Sequence, residues 1–212
     1  MIRVIVADDH AIVRQGLRSI LDAAQDMRCV AEAENAAEAM RAIRDIECDA
    51  LLLDISMPGK NGIDILKQIR KEKPRLPVLI LSMHPEDQYA LRAIKAGAAG
   101  YLTKQSAPQQ LVAAIRQISQ GRKFITPELA ESLANHLDDD GDQMPHEALS
   151  DREFQTLRLI GAGKSLTDIA KELCLSVKTV SVYRARLLEK MKLKNNSELT
   201  HYVVKNGLAE QS

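Results

Sequence analysis

The chain has 212 residues, 45 % hydrophobic and 27 % charged, with 29 basic and 29 acidic side chains and a formal charge of zero. That length suits one or two domains with an adequate core, and no apolar stretch approaches the roughly 20 residues of a membrane span. The amino terminus goes straight into a strand-like run, so no signal peptide is expected and a reducing cytoplasm is the default compartment. Cys29, Cys48 and Cys174 are odd in number and scattered through apolar neighbourhoods, unlike a disulfide framework or a zinc site. The zero net charge hides a segregation: residues 1–120 carry net +1, 121–148 net −5 and 149–212 net +4. A mildly basic carboxy-terminal unit behind an acidic connector hints at nucleic acid.

Residues 1–120 alternate strand-like runs with amphipathic stretches. The candidate strands are Ile2 to Ala7, Val30 to Ala33, Ala50 to Leu53, Val78 to Leu81 and Gly100 to Leu102. Between them Ile12, Leu17, Ile20 and Leu21 keep one helical face, as do Ala39, Ala42 and Ile43, then Ile65, Leu66 and Ile69, then Leu91 and Ile94. Leu111, Ile115 and Ile118 complete the series. This alternation predicts an α/β domain built on a five-stranded, doubly wound parallel sheet.

After Gly121, Thr126 and Pro127 are placed to start a short helix to Leu137. The aspartate-rich run after Leu137 reads as a linker, giving 121–148 as the connector. Helical periodicity returns at Leu149. Ser150 with Glu153, and Ser165 with Asp168, read as capping boxes, and Gly161 and Gly163 close the first helix. Ser176 caps a third helix, Val177 to about Met191, and Glu198 to Lys205 forms a fourth. With only Leu175 and Ser176 between the second and third, residues 149–212 predict a compact all-α helix-turn-helix module.

Asp8 and Asp9 follow the first strand and Asp54 the third. If those strands are neighbours, three carboxylates converge outside the strand ends, where open α/β sheets bind ligands. Such acids repel one another, and the arrangement needs raised pKa values or a hard cation such as magnesium. His10 adjoins them, but magnesium prefers oxygen, so His10 reads as the start of the first helix. Ser82 ends the fourth run and Lys104 follows the fifth. A nucleophilic carboxylate, a cation-holding acidic pair, a hydroxyl and a lysine are the parts that phosphoryl transfer needs.

On these residues, 1–120 resembles the flavodoxin-like receiver domain of two-component response regulators. The resemblance implies that Asp54 is the phosphoacceptor and that Asp9, Asp54 and the backbone carbonyl of Ser56 hold magnesium, with Asp8 acting through water. It implies also that Ser82 and Tyr101 form the switch pair, that Lys104 is the active-site lysine, and that a sensor histidine kinase is the donor. Two features depart from the common pattern. Gln105 follows Lys104 where many receivers have proline, and Met83 follows Ser82 where a smaller residue is usual. A bulky Met83 is expected to shield the phosphoryl group from water and slow its loss.

Residues 149–193 resemble the LuxR-type helix-turn-helix of the NarL/FixJ regulators, through Leu149, Ser150, Arg152, Glu153, Leu157, Gly163, Ser165, Ile169, Thr179, Val180 and Lys190 among others. Val180, Ser181, Tyr183 and Arg184 resemble the GacA and BvgA branch. Independently, at about 100° per residue, Val180, Tyr183, Leu187 and Met191 form the buried face of the third helix. Lys178, Ser181, Val182 and Ala185 then point outward, with Arg186 and Lys190 flanking them, and Thr179 completes the candidate DNA-contacting set. The basic face is sparse, which predicts weak binding by one copy and hence a homodimer on a two-fold site of double-stranded DNA. The expected function is a phosphorylation-switched transcriptional regulator, not an enzyme. The competing readings are a magnesium-dependent phosphohydrolase, which usually wants a second acid where Ser56 stands, and a constitutive DNA-binding protein.

Overall fold

Strands and helices alternate without interruption from Ile2 to Ser119. The elements are β1 (Ile2–Ala7), α1 (Ala11–Ala23), β2 (Met27–Ala33), α2 (Ala36–Asp45), β3 (Ala50–Asp54), α3 (Gly62–Glu72), β4 (Val78–Ser82), α4 (Glu86–Lys95), β5 (Gly100–Thr103) and α5 (Ala107–Ser119). The computed structural model describes residues 1–57, 62–83, 86–127, 129–131, 134 and 144–208, the side chains of 86–88 excepted. It divides the chain into two units, Met1–Asn135 and His136–Ser212.

In the first unit all strand pairs are parallel and the sheet order is β2-β1-β3-β4-β5. The central strands β3 and β4 are buried throughout, as continuous apolar runs covered on both faces must be. Val4, Val6, Leu52, Leu79, Leu81 and Leu102 form one face and pack with Leu17 and Leu21 of α1 and Leu111, Ile115 and Ile118 of α5. By the period of two, Ile5, Ala7, Leu51, Leu53, Ile80 and Tyr101 line the other face. The expected doubly wound sheet is therefore what the chain forms. β2 starts at Met27 rather than Val30, because exposed Arg28 breaks the apolar run while Met27 is buried and pairs with Ile2. β3, β4 and β5 run one residue further than read, through Asp54, Ser82 and Thr103.

Ordered structure enters the acidic connector from both ends. Phe124 donates its backbone N–H to Ala99 at 2.8 Å and lies against Gly100 at the outer edge of β5. Thr126 caps a helical stretch by accepting from the Leu129 amide at 3.3 Å. The aspartates of 138–142 lie outside the described residues, as do Pro58 and Gly59.

The first described element of the second unit is a 3-10 turn, Pro145–Ala148, whose His146 Nδ1 lies 2.8 Å from the Tyr202 hydroxyl. Four helices follow: α6 (Asp151–Gly161), α7 (Leu166–Glu172), α8 (Val177–Met191) and α9 (Asn196–Lys205). Ser150 and Glu153 form the predicted capping box. At α7 the reciprocity fails: Ser165 accepts the Asp168 amide, but the shorter Asp168 carboxylate takes the Ser165 hydroxyl at 2.6 Å. α7 ends at Glu172, so the turn to α8 is longer than read and contains Cys174 at φ 53°. α9 begins at Asn196 rather than Glu198, because Asn195 is the cap and Glu198 its partner three residues on.

One close approach sets where α3 begins. A Cβ on Gly62 would stand 2.5 Å from Ile55 Cα and 2.7 Å from the Asp54 carbonyl oxygen, and the Gly62 amide donates to the Ile55 carbonyl at 3.0 Å. Only glycine lets α3 start directly beneath Asp54. Gly62→Ala is expected to destabilise the protein by about 1–3 kcal/mol, whereas Gly16→Ala, whose Cβ meets nothing within 4 Å, should stabilise α1 by about 0.5–1 kcal/mol. Denaturant midpoints of the two variants check both signs.

Candidate functional site

Because β1 lies between β2 and β3, the chain reverses its direction of winding there, and the carboxyl ends of β1 and β3 bound a crevice. Asp8 and Asp54 both enter it and are fully buried. The Asp8 backbone is fixed by its N–H, which donates to the Ala33 carbonyl at 3.0 Å. Its carboxylate Oδ1 accepts from the His10 amide at 2.9 Å, closing the turn into α1. Asp54 Oδ1 accepts from the Ser56 amide at 3.0 Å. Ligand atoms of Asp8, Asp9, His10 and Asp54 all lie within 4.8 Å of one another. His10 is exposed, heads α1 and approaches Asp9 Oδ1 at 2.8 Å through Nδ1.

Lys104 reaches the same crevice from the end of β5, its amide held by the Ser82 carbonyl at 2.7 Å. The ammonium donates to Asp54 Oδ2 at 2.9 Å and forms an ion pair with Asp8 Oδ2 at 2.6 Å, off the hydrogen-bonding direction. Burial pushes the Asp54 carboxyl above the ordinary range; Lys104 and the Ser56 amide oppose the push and Asp8 adds to it. Burial alone would lower the Lys104 pKa, but Asp54 and Asp8 outweigh it and hold the ammonium above its usual value. Among the described residues, three carboxylates against one ammonium leave an excess of negative charge. Asp8 Oδ2 and Asp9 Oδ1 are buried without a hydrogen-bond partner. Three carboxylates with such buried oxygens suit a hard cation, with the His10 ring beside them.

Ser82 and Tyr101 are both fully buried. Since Ile80 pairs with Tyr101 and Ser82 with Thr103, the two side chains lie on one face of the sheet, two positions apart. Met83, next to Ser82, is 61 % exposed. Ser56 is exposed in the turn after β3. Sequence reading passed over Arg14, which is buried with Leu17 and Leu21 on the inner side of α1. A charged residue in phase with an apolar stripe was the available signal.

In the second unit Val180, Leu187 and Met191 are buried on α8, with Tyr183 half-buried, while Lys178, Ser181, Val182, Ala185 and Arg186 are exposed. Thr179 is half-buried and its hydroxyl lies 2.7 Å from that of Ser176. The Lys190 ammonium is already engaged, 2.6 Å from the buried Glu153 carboxylate. Burial pushes the Glu153 pKa upward, but Lys190 and the Ser150 amide and hydroxyl prevail and hold it below the usual carboxylate range.

A raised Asp54 pKa means that the folded state binds this proton more tightly than the unfolded chain, so its ionisation lowers stability as pH rises from the unfolded towards the folded pKa. In metal-free buffer at pH 7, Asp54→Asn is therefore expected to be more stable than the parent protein by on the order of 1 kcal/mol, and added divalent cation should close the gap. Calorimetric melting with and without the cation tests this; a less stable variant without cation would contradict it.

Residues 4–116 match the family model "Response regulator receiver domain", and 147–203 match "Bacterial regulatory proteins, luxR family". The chain is 35 % identical to response regulator UvrY of Escherichia coli K12, covering 98 % of this chain and 96 % of that protein. It is 34 % identical to response regulator GacA of Pseudomonas protegens over the full length of both, in keeping with the GacA-like residues of α8. RcsB of Salmonella enterica serovar Typhimurium, solved bound to the promoter rprA with the phosphomimetic BeF3−, shares 28 % identity at TM-score 0.65, covering 96 % of this chain and 99 % of that one. Another RcsB structure, 29 % identical at TM-score 0.58 and covering 96 % of this chain and 98 % of that one, holds two dimers on two parallel DNAs. An acidic crevice at the sheet's switch point and a helix-turn-helix unit behind it thus belong to one recognised architecture: the chain is a member of the response regulators that join a receiver domain to a LuxR-type DNA-binding domain, phosphorylation-controlled transcription regulators rather than catalytic enzymes.

Proposed function

We propose that Asp54 takes a phosphoryl group from a sensor histidine kinase and that this event controls binding of the second unit to double-stranded DNA. The observation that carries the reading is a fully buried Asp54 carboxylate set between Lys104 and the Asp8–Asp9 pair. In this reading 1–120 is the receiver, 121–148 the linker and 149–212 the DNA-binding domain of a cytoplasmic protein. Asp9, Asp54 and the Ser56 carbonyl would hold magnesium, with Asp8 acting through water, and the bound cation would neutralise charge on the phosphoryl oxygens.

The Asp54 carboxylate attacks phosphorus as the phosphorus–nitrogen bond of the donor histidine breaks. Lys104, released from Asp54 Oδ2, pairs with a phosphoryl oxygen, and the Ser82 hydroxyl donates to another. Tyr101, on the same sheet face as Ser82, follows that hydroxyl and alters the face made by α4, β5 and α5. The DNA surface is Lys178, Thr179, Ser181, Val182, Ala185 and Arg186, where small exposed side chains permit close approach to base edges. Lys190 we assign instead to holding α8 against α6 through Glu153. So few free cations favour a homodimer on a two-fold site, the arrangement for which RcsB offers a precedent.

DNA occupancy mapped with and without a small phosphodonor, beside Asp54→Ala, tests the reading. The phosphodonor should raise occupancy of the parent protein and leave the variant unchanged; full stimulation of Asp54→Ala would overturn it. Affinity should also fall with salt, with a logarithmic slope of about −0.9 per phosphate contact.

A further inference from the structure

Arg14 is a charged residue on the buried side of α1, only 6 % exposed. Its guanidinium donates to two acceptors and stands near a further carboxylate. One terminal nitrogen donates to the backbone carbonyl of Asp8 at 2.7 Å, the other to Glu34 Oε1 at 2.5 Å, and Nε lies 3.6 Å from Glu32 Oε2. Glu32 belongs to β2 and Glu34 follows it, so one side chain ties the end of β1 to the end of the neighbouring strand.

The bond to the Asp8 carbonyl matters because that carbonyl belongs to the peptide joining Asp8 to Asp9. Asp8 is held independently, by the Ala33 carbonyl at its amide and by the His10 amide and Lys104 at its carboxylate. Asp9 has no such support: its carboxylate is approached only by exposed His10 among the described residues. What orients the Asp9 side chain is therefore the plane of the preceding peptide, and Arg14 fixes that plane. We infer that Arg14 is the positioning residue of the cation site, acting through the Asp8–Asp9 peptide to aim the Asp9 carboxylate. A planar fork is needed, since one terminal nitrogen must reach the Asp8 carbonyl while the other stays on Glu34. A point-charge ammonium on a different stem does not reproduce both directions.

The inference rests on the reading of Asp9 as a magnesium ligand. It also opposes simple electrostatics, because removing a cation near an acidic cluster should, by charge alone, tighten magnesium binding. The test is a magnesium titration of the full chain without phosphodonor, read by calorimetry, for the parent protein, Arg14→Met, Arg14→Lys and Arg18→Met. Arg18 lies one turn further along α1, is exposed and also pairs with Glu32 at 3.1 Å, which makes it a control for loss of charge and of that acid's partner. Arg14→Met should weaken magnesium binding by about 10- to 100-fold, the range for groups that orient a metal ligand. Arg14→Lys should also bind more weakly than the parent, and Arg18→Met should match it. In phosphorylation by a small phosphodonor, Arg14→Met should need correspondingly more magnesium yet reach the parental rate at saturation. Unchanged or tighter binding by Arg14→Met would overturn the inference; if that variant does not fold, parental affinity in Arg14→Lys would do so. Absence of magnesium binding by the parent protein would instead refute the metal assignment itself.

Discussion

Repulsion among three carboxylates in one crevice is the constraint on which the first unit depends. Asp8 and Asp54 are fully buried and Asp9 adjoins them, yet among the described residues a single ammonium, Lys104, stands directly against them. Such a cluster holds together only if the scaffold does not let it relax. Parallel strands supply that scaffold, because β1, β3, β4 and β5 all end on the same side and deliver Asp8, Asp54, Ser82 and Lys104 to one edge. An antiparallel pairing of β1 and β3 would have sent the two buried aspartates to opposite ends.

The scaffold around the cluster is closely packed. Each acid leaves a strand that is almost wholly buried, and the start of α3 lies close against Ile55 through Gly62. Burial raises the Asp54 pKa, and Asp8 Oδ2 and Asp9 Oδ1 are left buried without hydrogen-bond partners. Carboxylate oxygens so placed are chemically suited to a hard cation. The second unit uses charge differently. Glu153 closes the cap of α6 at the Ser150 amide and also binds Lys190, so one buried carboxylate fixes the start of α6 and the position of α8.

Much of this was legible in the residues. The parallel sheet followed from apolar runs alternating with amphipathic stretches, and the caps at Ser150, Ser165 and Ser176 marked three helix starts because a short hydroxyl side chain satisfies amides that the helix leaves bare. Less legible were the boundaries. Met27 was hidden by Arg28 on an edge strand, and the start of α9 by an asparagine cap followed by polar residues. The turn before α8 holds Cys174 in a left-handed conformation that glycine would ordinarily signal. Lys190 looked like a cation on the outer flank, since helical phase says where a side chain begins and not which partner its flexible end finds.

The sequence by itself determined which carboxylates stand at the strand ends, because strand ends in a parallel sheet are positions that pattern alone can locate. It determined also the two kinds of architecture, since the periods of 2 and 3.6 are local properties of the chain. Only the tertiary structure decided how those residues are used. Ammonium and carboxylates meet across β1, β3 and β5, the Asp54 pKa rises through burial, Lys190 turns to Glu153, and Arg14 reaches back to the Asp8 carbonyl. Each of these depends on distance and exclusion of water between segments far apart in the chain, quantities that come into being only when the units close.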